Sequence, residues 1–191
     1  MARRSDLTHQ HILNAAYELF YRHGFSRVGV DEIATHAGVT KRTLYNHFAS
    51  KDELVAATLD RHHVQAFAQI RRWGHKPAKD AGEFLAGIFE ELRQWASRPR
   101  WLGSGFTRLT MELADLPGHP ARRAAHLHKA EVETWLIREL DELGAKDPAG
   151  LGRQTMLLIE GCLSLILIHD DASYAIAASR AARQLAGNSG E

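Results

Sequence analysis

Cysteine is almost absent from this sequence of 191 residues, which contains only Cys162. A single cysteine excludes an internal disulfide and suits a reducing compartment. Long apolar runs are also missing. The longest, CLSLILI at 162–168, is too short to span a bilayer, and no apolar segment follows the arginines near the N-terminus. We therefore expect a cytoplasmic protein with no membrane partner.

Enzyme motifs are missing as well. The sequence has no nucleophile elbow, no phosphate-binding glycine loop and no HExxH. Twelve histidines invite a metal site, but His62 and His63 are adjacent and point about 100° apart on a helix, and no set matches tetrahedral spacing. Cys162 lies in an apolar run, which favours a packed thiol. We predict no catalytic residue, no metal and no cofactor.

Charge is nearly balanced, at +1, but it is unevenly distributed. Residues 1–51 hold seven Lys/Arg and four Asp/Glu, a balance of +3, while the remaining 17 basic and 19 acidic residues give −2. The front is mildly basic and the rear mildly acidic. This asymmetry alone does not identify a nucleic-acid partner.

Helical periodicity is present along almost the whole chain, and no stretch alternates for long enough to predict a sheet. We predict an all-α protein of about nine helices, with a helix-turn-helix domain at 1–50, a helical regulatory and dimerisation domain at 51–187 and a disordered tail at 188–191. The predicted helices cover about 6–23, 30–37, 41–48, 51–73, 79–97, 102–115, 120–144, 148–169 and 172–186.

The stretch GVTKRTLYNHFASKDEL at 38–54 combines an apolar edge with many polar side chains. On a helix over 41–48, Leu44 and Phe48 point one way, while Arg42 and Asn46 point nearly opposite. The preceding helix places the apolar residues Ile33, Ala34 and Ala37 beneath this helix, and Gly38 permits a tight turn between the two. This pattern predicts a helix-turn-helix at about 29–48 whose second helix enters a DNA major groove. A solvated helix that contacts nothing is the alternative.

The segments ILNAAYELFYRHGF, VDEIATHAGVTKRTLYNHF and SKDELV, within residues 9–55, resemble the DNA-binding domain of the tetracycline-repressor (TetR) family. The resemblance implies a homodimer whose first three helices bind DNA and whose other helices bind an effector and the partner subunit. It also implies that operator DNA is contacted by Thr40, Lys41, Arg42, Thr43, Tyr45, Asn46, His47 and Lys51. Gly29 departs from the family, which often has Thr or Ser before the second helix.

The rear half carries most of the large aromatic residues. By the resemblance, some residues of the fifth to eighth helices line an effector cavity, although plain core is the alternative for each aromatic. We expect an effector pocket formed by Phe89, Trp101, Phe106, Met111, His126, Trp135, Met156 and Glu160.

The eighth helix is apolar on nearly every face, and the ninth has a stripe of small residues. Two such pairs could form a four-helix bundle between subunits, or the eighth could be a central core helix. We expect a dimer interface formed by Met156, Leu163, Ile166, Leu167, Tyr174, Ala178 and Ala182.

The predicted function is a DNA-binding transcriptional regulator, in the form of a repressor released from a palindromic operator by a small molecule. An activator of the same fold is the first alternative. A small-molecule-binding protein without DNA binding and an all-α enzyme are the others, and salt-dependent binding to promoter DNA separates the regulator from both.

Overall fold

The computed structural model describes residues 2–188, and over that range the chain forms nine helices and no strand. The prediction of an all-α fold is confirmed. The helices are α1 Ala2–His23, α2 Val30–His36, α3 Lys41–His47, α4 Lys51–Gly74, α5 Ala81–Ala96, α6 Gly105–Glu112, α7 Pro120–Glu142, α8 Pro148–His169 and α9 Tyr174–Asn188.

Side-chain caps fix where several helices begin. The Thr40 hydroxyl accepts the Thr43 N–H at the start of α3, and Asp147 accepts the Gly150 N–H at the start of α8. Each cap gives an acceptor to an N–H group that the first helical turn leaves unpaired. At the start of α4, the Ser50 hydroxyl accepts a hydrogen bond from the Glu53 N–H at 3.0 Å. The Glu53 carboxylate, however, accepts the Ala49 N–H and not the N–H of Ser50 itself. Ser50 and Glu53 therefore form a capping box in one direction only.

The helices pack into two compact units, each with its own apolar core. The first unit is the chain up to Ala66 together with Ser104–His128. Its core combines residues of α1 to α4 with residues of α6 and the beginning of α7, including Ile12, Leu44 and Phe106. A segment far along the sequence thus completes the core around the helix-turn-helix.

The second unit comprises Phe67–Gly103 and the chain from Lys129 onward. In this unit α9 lies along α5, and α8 packs against both. Small residues allow the close approach of helices: a methyl group at Gly152 would lie 2.6 Å from the Ile137 side chain. Cys162 is buried in this core, and burial raises the pKa of its thiol to about 11. The prediction of a packed thiol is confirmed.

These packing units do not coincide with a division at residue 51, because α4 and α7 each contribute residues to both units. The division into a DNA-binding domain at 1–50 and a regulatory domain at 51–187 concerns function, and it stays a prediction. Of the predicted tail, residue 188 ends α9, whereas residues 189–191 lie outside the described part of the chain.

Helix α8 has the predicted bounds, and its apolar character extends beyond the seven-residue run 162–168. Among the described residues it is the one helix whose length and composition would allow it to cross a bilayer, with a mean hydropathy of 1.5 over 18 residues. A third of that window is buried inside the protein. A core helix with one exposed apolar face has the same composition, so this property does not identify a membrane segment.

Candidate nucleic-acid interface

Helices α2 and α3 form a helix-turn-helix joined by residues 37–40. Gly38 has φ +67°, the left-handed conformation that the sequence predicted for this turn. Ile33 and Ala34 of α2 are buried against the core, as are Leu44 and Phe48 at α3. Phe48 follows α3 with extended backbone and closes it. The apolar edge therefore fixes α3 in one orientation.

The polar side of α3 is open to solvent. Lys41, Arg42 and Asn46 are exposed, and the Tyr45 side chain is 42% exposed. Thr40, the capping residue, is exposed as well, whereas Thr43 and His47 are half-buried. The face opposite Leu44 thus presents the side chains that the sequence assigned to DNA. The DNA contacts themselves stay a prediction.

Some of these side chains already have partners within the protein. The Thr40 and Thr43 hydroxyls lie 2.9 Å apart, and Lys41 Nζ donates to Asp31 at 3.0 Å. Both members of the Lys41–Asp31 pair are solvent-exposed. Such a pair contributes little to stability, so Lys41 can exchange Asp31 for a phosphate at small cost.

Lys51, one of the predicted DNA contacts, is bound by groups within the protein. Its Nζ donates to the Phe25 carbonyl at 2.6 Å and lies 4.1 Å from the centre of the Phe25 ring. Burial lowers the pKa of Lys51, although the nearby carboxylates of Glu112 and Asp52 oppose that shift. Lys51 therefore has a structural role in the first unit, and its DNA contact stays a prediction.

Two residues outside the motif support its ends. The His9 ring of α1 stacks on Phe48 at 4.8 Å and meets His47 edge-on at 5.9 Å. Glu112 of α6 accepts hydrogen bonds from the Phe25 and Ser26 N–H groups in the turn before α2. Sequence reasoning missed Glu112, since its partners lie 86 and 87 residues away and no local pattern connects them.

The eight residues predicted for the effector pocket are divided between the units. Phe106, Met111 and His126 belong to the first unit and the others to the second. Phe106 is buried, whereas Met111 is 66% exposed. In the second unit, Phe89 and Trp135 are buried in the core, as plain core residues would be, while Trp101 and Met156 are half-buried. Glu160 forms an ion pair with Lys129.

A cleft in the first unit is lined by Tyr17, Thr58, Arg108 and other residues of α1, α4 and α6. None of the eight predicted pocket residues lines it. The grouping of those eight residues into one pocket therefore stays a prediction.

Four of the seven residues predicted for the dimer interface are buried within their own subunit: Leu163, Ile166, Ala178 and Ala182. The small-residue stripe of α9 packs on α5 of the same chain, where a methyl group at Gly82 would lie 3.9 Å from Ala186. Leu167 is exposed, and Met156 and Tyr174 are half-buried.

The apolar face that α8 leaves exposed is different. Leu157 and Ile168 are each 71% exposed, and at about 100° per residue they lie on the side of α8 opposite the buried Ile166. Leu165 and Leu167, both exposed, flank them. We define this exposed α8 face by Leu157, Leu165, Leu167 and Ile168.

Histidines of the first unit form a stacked group instead of a metal cluster. The His62 ring lies between Tyr17 and Phe106, and Tyr17 Oη is 2.7 Å from His62 Nε2. His63 Nδ1 lies 2.9 Å from His128 Nδ1. In the described part of the chain, no three His, Cys, Asp or Glu side chains gather where they could hold a metal ion.

Comparison with known proteins agrees with this geometry. The family model described as bacterial regulatory proteins of the tetR family matches residues 12–58. The transcriptional activator FasR of Mycolicibacterium smegmatis is 53% identical over 61 residues, 32% of this chain and 28% of FasR. The transcriptional repressor NemR of Escherichia coli is 28% identical over 112 residues, 57% of this chain and 55% of NemR. The matched region thus spans 28% of the length of FasR and 55% of the length of NemR.

A solved structure of a TetR-type transcriptional regulator from Streptomyces avermitilis matches almost the whole chain. It is 30% identical, covers 94% of this chain and 98% of its own, and has a TM-score of 0.81. The fold and the exposed recognition helix define a helix-turn-helix transcriptional regulator. The chain belongs to the TetR family.

Proposed function

We propose that this protein binds operator DNA in a sequence-specific manner as a homodimer, and that it represses transcription until a small-molecule effector releases it. The observation that carries the proposal is the orientation of α3. Leu44 and Phe48 anchor one edge in the core, and the opposite edge exposes Arg42 and Asn46. This arrangement suits a helix that enters the major groove.

The exposed side chains have chemistry that matches base edges and phosphates. Arg42 suits guanine, and Asn46 suits adenine through its amide. Tyr45, Lys41 and Thr40 suit phosphate oxygens, which position the protein without reading sequence. Arg42 and Asn46 are therefore the proposed base-reading residues.

Dimerisation would supply two recognition helices and so a palindromic site. For such a dimer we expect half-sites whose centres lie about 34 Å apart, one turn of the DNA helix, or a multiple of that distance. The exposed α8 face presents four apolar side chains to solvent in the single subunit. Two copies of that face could cover each other across a two-fold axis.

The second unit is the proposed effector-binding part. The indole N–H of Trp101 is buried and has no hydrogen-bond partner among the described residues, and the Trp101 ring lies 5.5 Å from that of Trp95. An unpaired buried donor is costly, so an effector that supplies an acceptor would gain binding energy there. The relative NemR is a transcriptional repressor, and the relative FasR is a transcriptional activator. We favour repression because the NemR match extends beyond the helix-turn-helix.

Selection of a binding site from random-sequence duplex DNA tests the proposal. Wild-type protein should enrich an inverted repeat, and its affinity should fall steeply with salt. Asn46→Ala should relax preference at one position in each half-site, with a loss of about 1–3 kcal/mol for the wild-type sequence. A reporter gene behind the enriched site then distinguishes repression from activation.

Asp141→Ala, on the exposed surface of the second unit, is the control and should leave DNA binding unchanged. If wild-type protein enriches no sequence, the DNA-binding proposal is wrong. If Asn46→Ala weakens all duplexes equally, Asn46 does not read bases.

A further inference from the structure

The turn between α1 and α2, residues 24–29, needs hydrogen-bond partners from outside itself. Gly24 has φ +86° and ends α1, so the next N–H groups leave the helix without carbonyl partners in it. At the other end of the turn, Gly29 begins α2 without a side-chain hydrogen bond. Local sequence therefore provides little to fix the point at which the helix-turn-helix starts.

Glu112, the last residue of α6, supplies those partners. One carboxylate oxygen accepts the Phe25 N–H at 2.8 Å, and the other accepts the Ser26 N–H at 2.8 Å. A side chain at position 24 would lie 3.1 Å from both oxygens. The φ of Gly24 favours glycine, and a side chain there would also crowd this carboxylate.

The hydrogen bonds also explain the charge of Glu112. Burial opposes ionisation, but the N–H groups of Ser26 and Phe25 and the Arg108 guanidinium outweigh it, so the pKa of Glu112 is held below its ordinary value. The carboxylate is therefore ionised at neutral pH, and its hydrogen bonds are charge-assisted.

Two further contacts hold the same turn. Arg108, one helical turn before Glu112, donates to the Tyr21 carbonyl at 2.7 Å, at the negative end of α1. Lys51 donates to the Phe25 carbonyl from the start of α4. The Phe25 residue is thus held at its N–H by Glu112 and at its C=O by Lys51.

We infer that Glu112 is a positioning residue for DNA recognition: its carboxylate fixes the α1–α2 turn and thereby the placement of α2 and α3. This inference rests on the proposed DNA-binding function. Glu112 lies 65 residues after His47, the last residue of α3, and it accepts its hydrogen bonds from the α1–α2 turn. Its effect on binding is therefore indirect.

Glu112→Ala and Glu112→Gln test the inference in the full-length protein. The probe is a duplex enriched by the wild-type protein from random-sequence DNA. Glu112→Ala should bind it about tenfold more weakly, and Glu112→Gln, which keeps one acceptor oxygen, should show a smaller loss. The slope of log affinity against log salt should stay unchanged, because no phosphate contact is removed.

A second measurement does not depend on DNA. Hydrogen exchange followed by NMR should show the Phe25 and Ser26 amide protons exchanging about tenfold faster or more in Glu112→Ala, while the amides of α5 and α9 are unaffected. Asp115→Ala removes an exposed acidic side chain three residues further on and is the matched control. It should change neither the exchange nor the affinity.

The outcomes separate the two proposals. If wild-type protein enriches no duplex, the proposed function fails, and the exchange rates still decide whether Glu112 holds the turn. Unchanged exchange at Phe25 and Ser26 in Glu112→Ala would overturn the inference. Faster exchange with unchanged affinity for the enriched duplex would overturn it too, since the turn would then be free to move without consequence for recognition.

Discussion

Replacing Leu44 by alanine should destabilise the first unit and leave the second one intact. Leu44 is 0% exposed and belongs to the core of the first unit. A Leu→Ala change in a well-packed core costs about 2–5 kcal/mol, because transfer energy is lost and a cavity remains. With a loss of about 3 kcal/mol and a urea m-value of about 1.5 kcal/mol per molar, the midpoint of the first unit falls by about 2 M.

The positions of the tryptophans allow the two units to be followed separately. All four tryptophans, Trp73, Trp95, Trp101 and Trp135, belong to the second unit. Tryptophan fluorescence therefore reports unfolding of the second unit alone, whereas far-UV circular dichroism reports helices of both. In Leu44→Ala, part of the circular dichroism signal should be lost at lower urea, while the fluorescence midpoint stays where it is in the wild type.

Tyr45→Ala is the control for this experiment, because it truncates a large side chain on the exposed side of the same helix. Tyr45→Ala should change the free energy of unfolding of each unit by no more than about 0.5 kcal/mol, although it should weaken DNA binding. If Leu44→Ala shifts the fluorescence midpoint as far as the circular dichroism midpoint, the two units unfold as one, and the reasoning from separate cores is refuted.

Two further predictions concern the dimer and the stacked histidines. In sedimentation velocity at micromolar concentration, wild-type protein should be a dimer and Leu157→Glu a monomer, with no change in the stability of the subunit. The control Leu157→Met should remain dimeric. A monomeric wild type would contradict the proposed interface. Burial and, to a smaller extent, the neighbouring His63 lower the pKa of His62 from its ordinary 6.5 to about 4. As the pH is lowered, the imidazole of the unfolded chain binds a proton near pH 6.5, whereas that of the folded protein does so only near pH 4. The free energy of unfolding should therefore fall by up to about 3 kcal/mol as the pH is lowered through that interval. Urea midpoints measured against pH should show this fall in the wild type and in the control His11→Gln, but a flatter profile in His62→Gln; equal profiles would contradict the assignment to His62.

Local features of the fold could be read from the sequence because they depend on neighbouring residues. The spacing of Leu44 and Phe48 determines which edge of α3 is buried, and Thr40 and Asp147 cap the helices that follow them. These effects act over three or four residues, so they do not depend on the rest of the chain.

Features that depend on distant residues could not be read in the same way. A stripe of small residues such as Ala178 and Ala182 predicts close helix packing, but it does not say whether the partner helix belongs to the same chain. Here the partner of α9 is α5 of the same chain. The exposed apolar face lies instead on α8, where larger residues such as Leu157 and Ile168 form it. The bonds from Glu112 to the α1–α2 turn were equally invisible, since a glutamate at a helix end is usually solvated.

The composition of the first unit changes what counts as the DNA-binding part of the chain. The segment Ser104–His128 contributes Phe106, Leu109 and Leu113 to the core that also contains Leu44, and it carries the carboxylate of Glu112. Residues 1–50 alone would expose that core to water and leave the Phe25 and Ser26 amides without their acceptor. The helix-turn-helix is therefore a local motif in sequence, but the orientation of its recognition helix depends on a core and a turn that α6 completes.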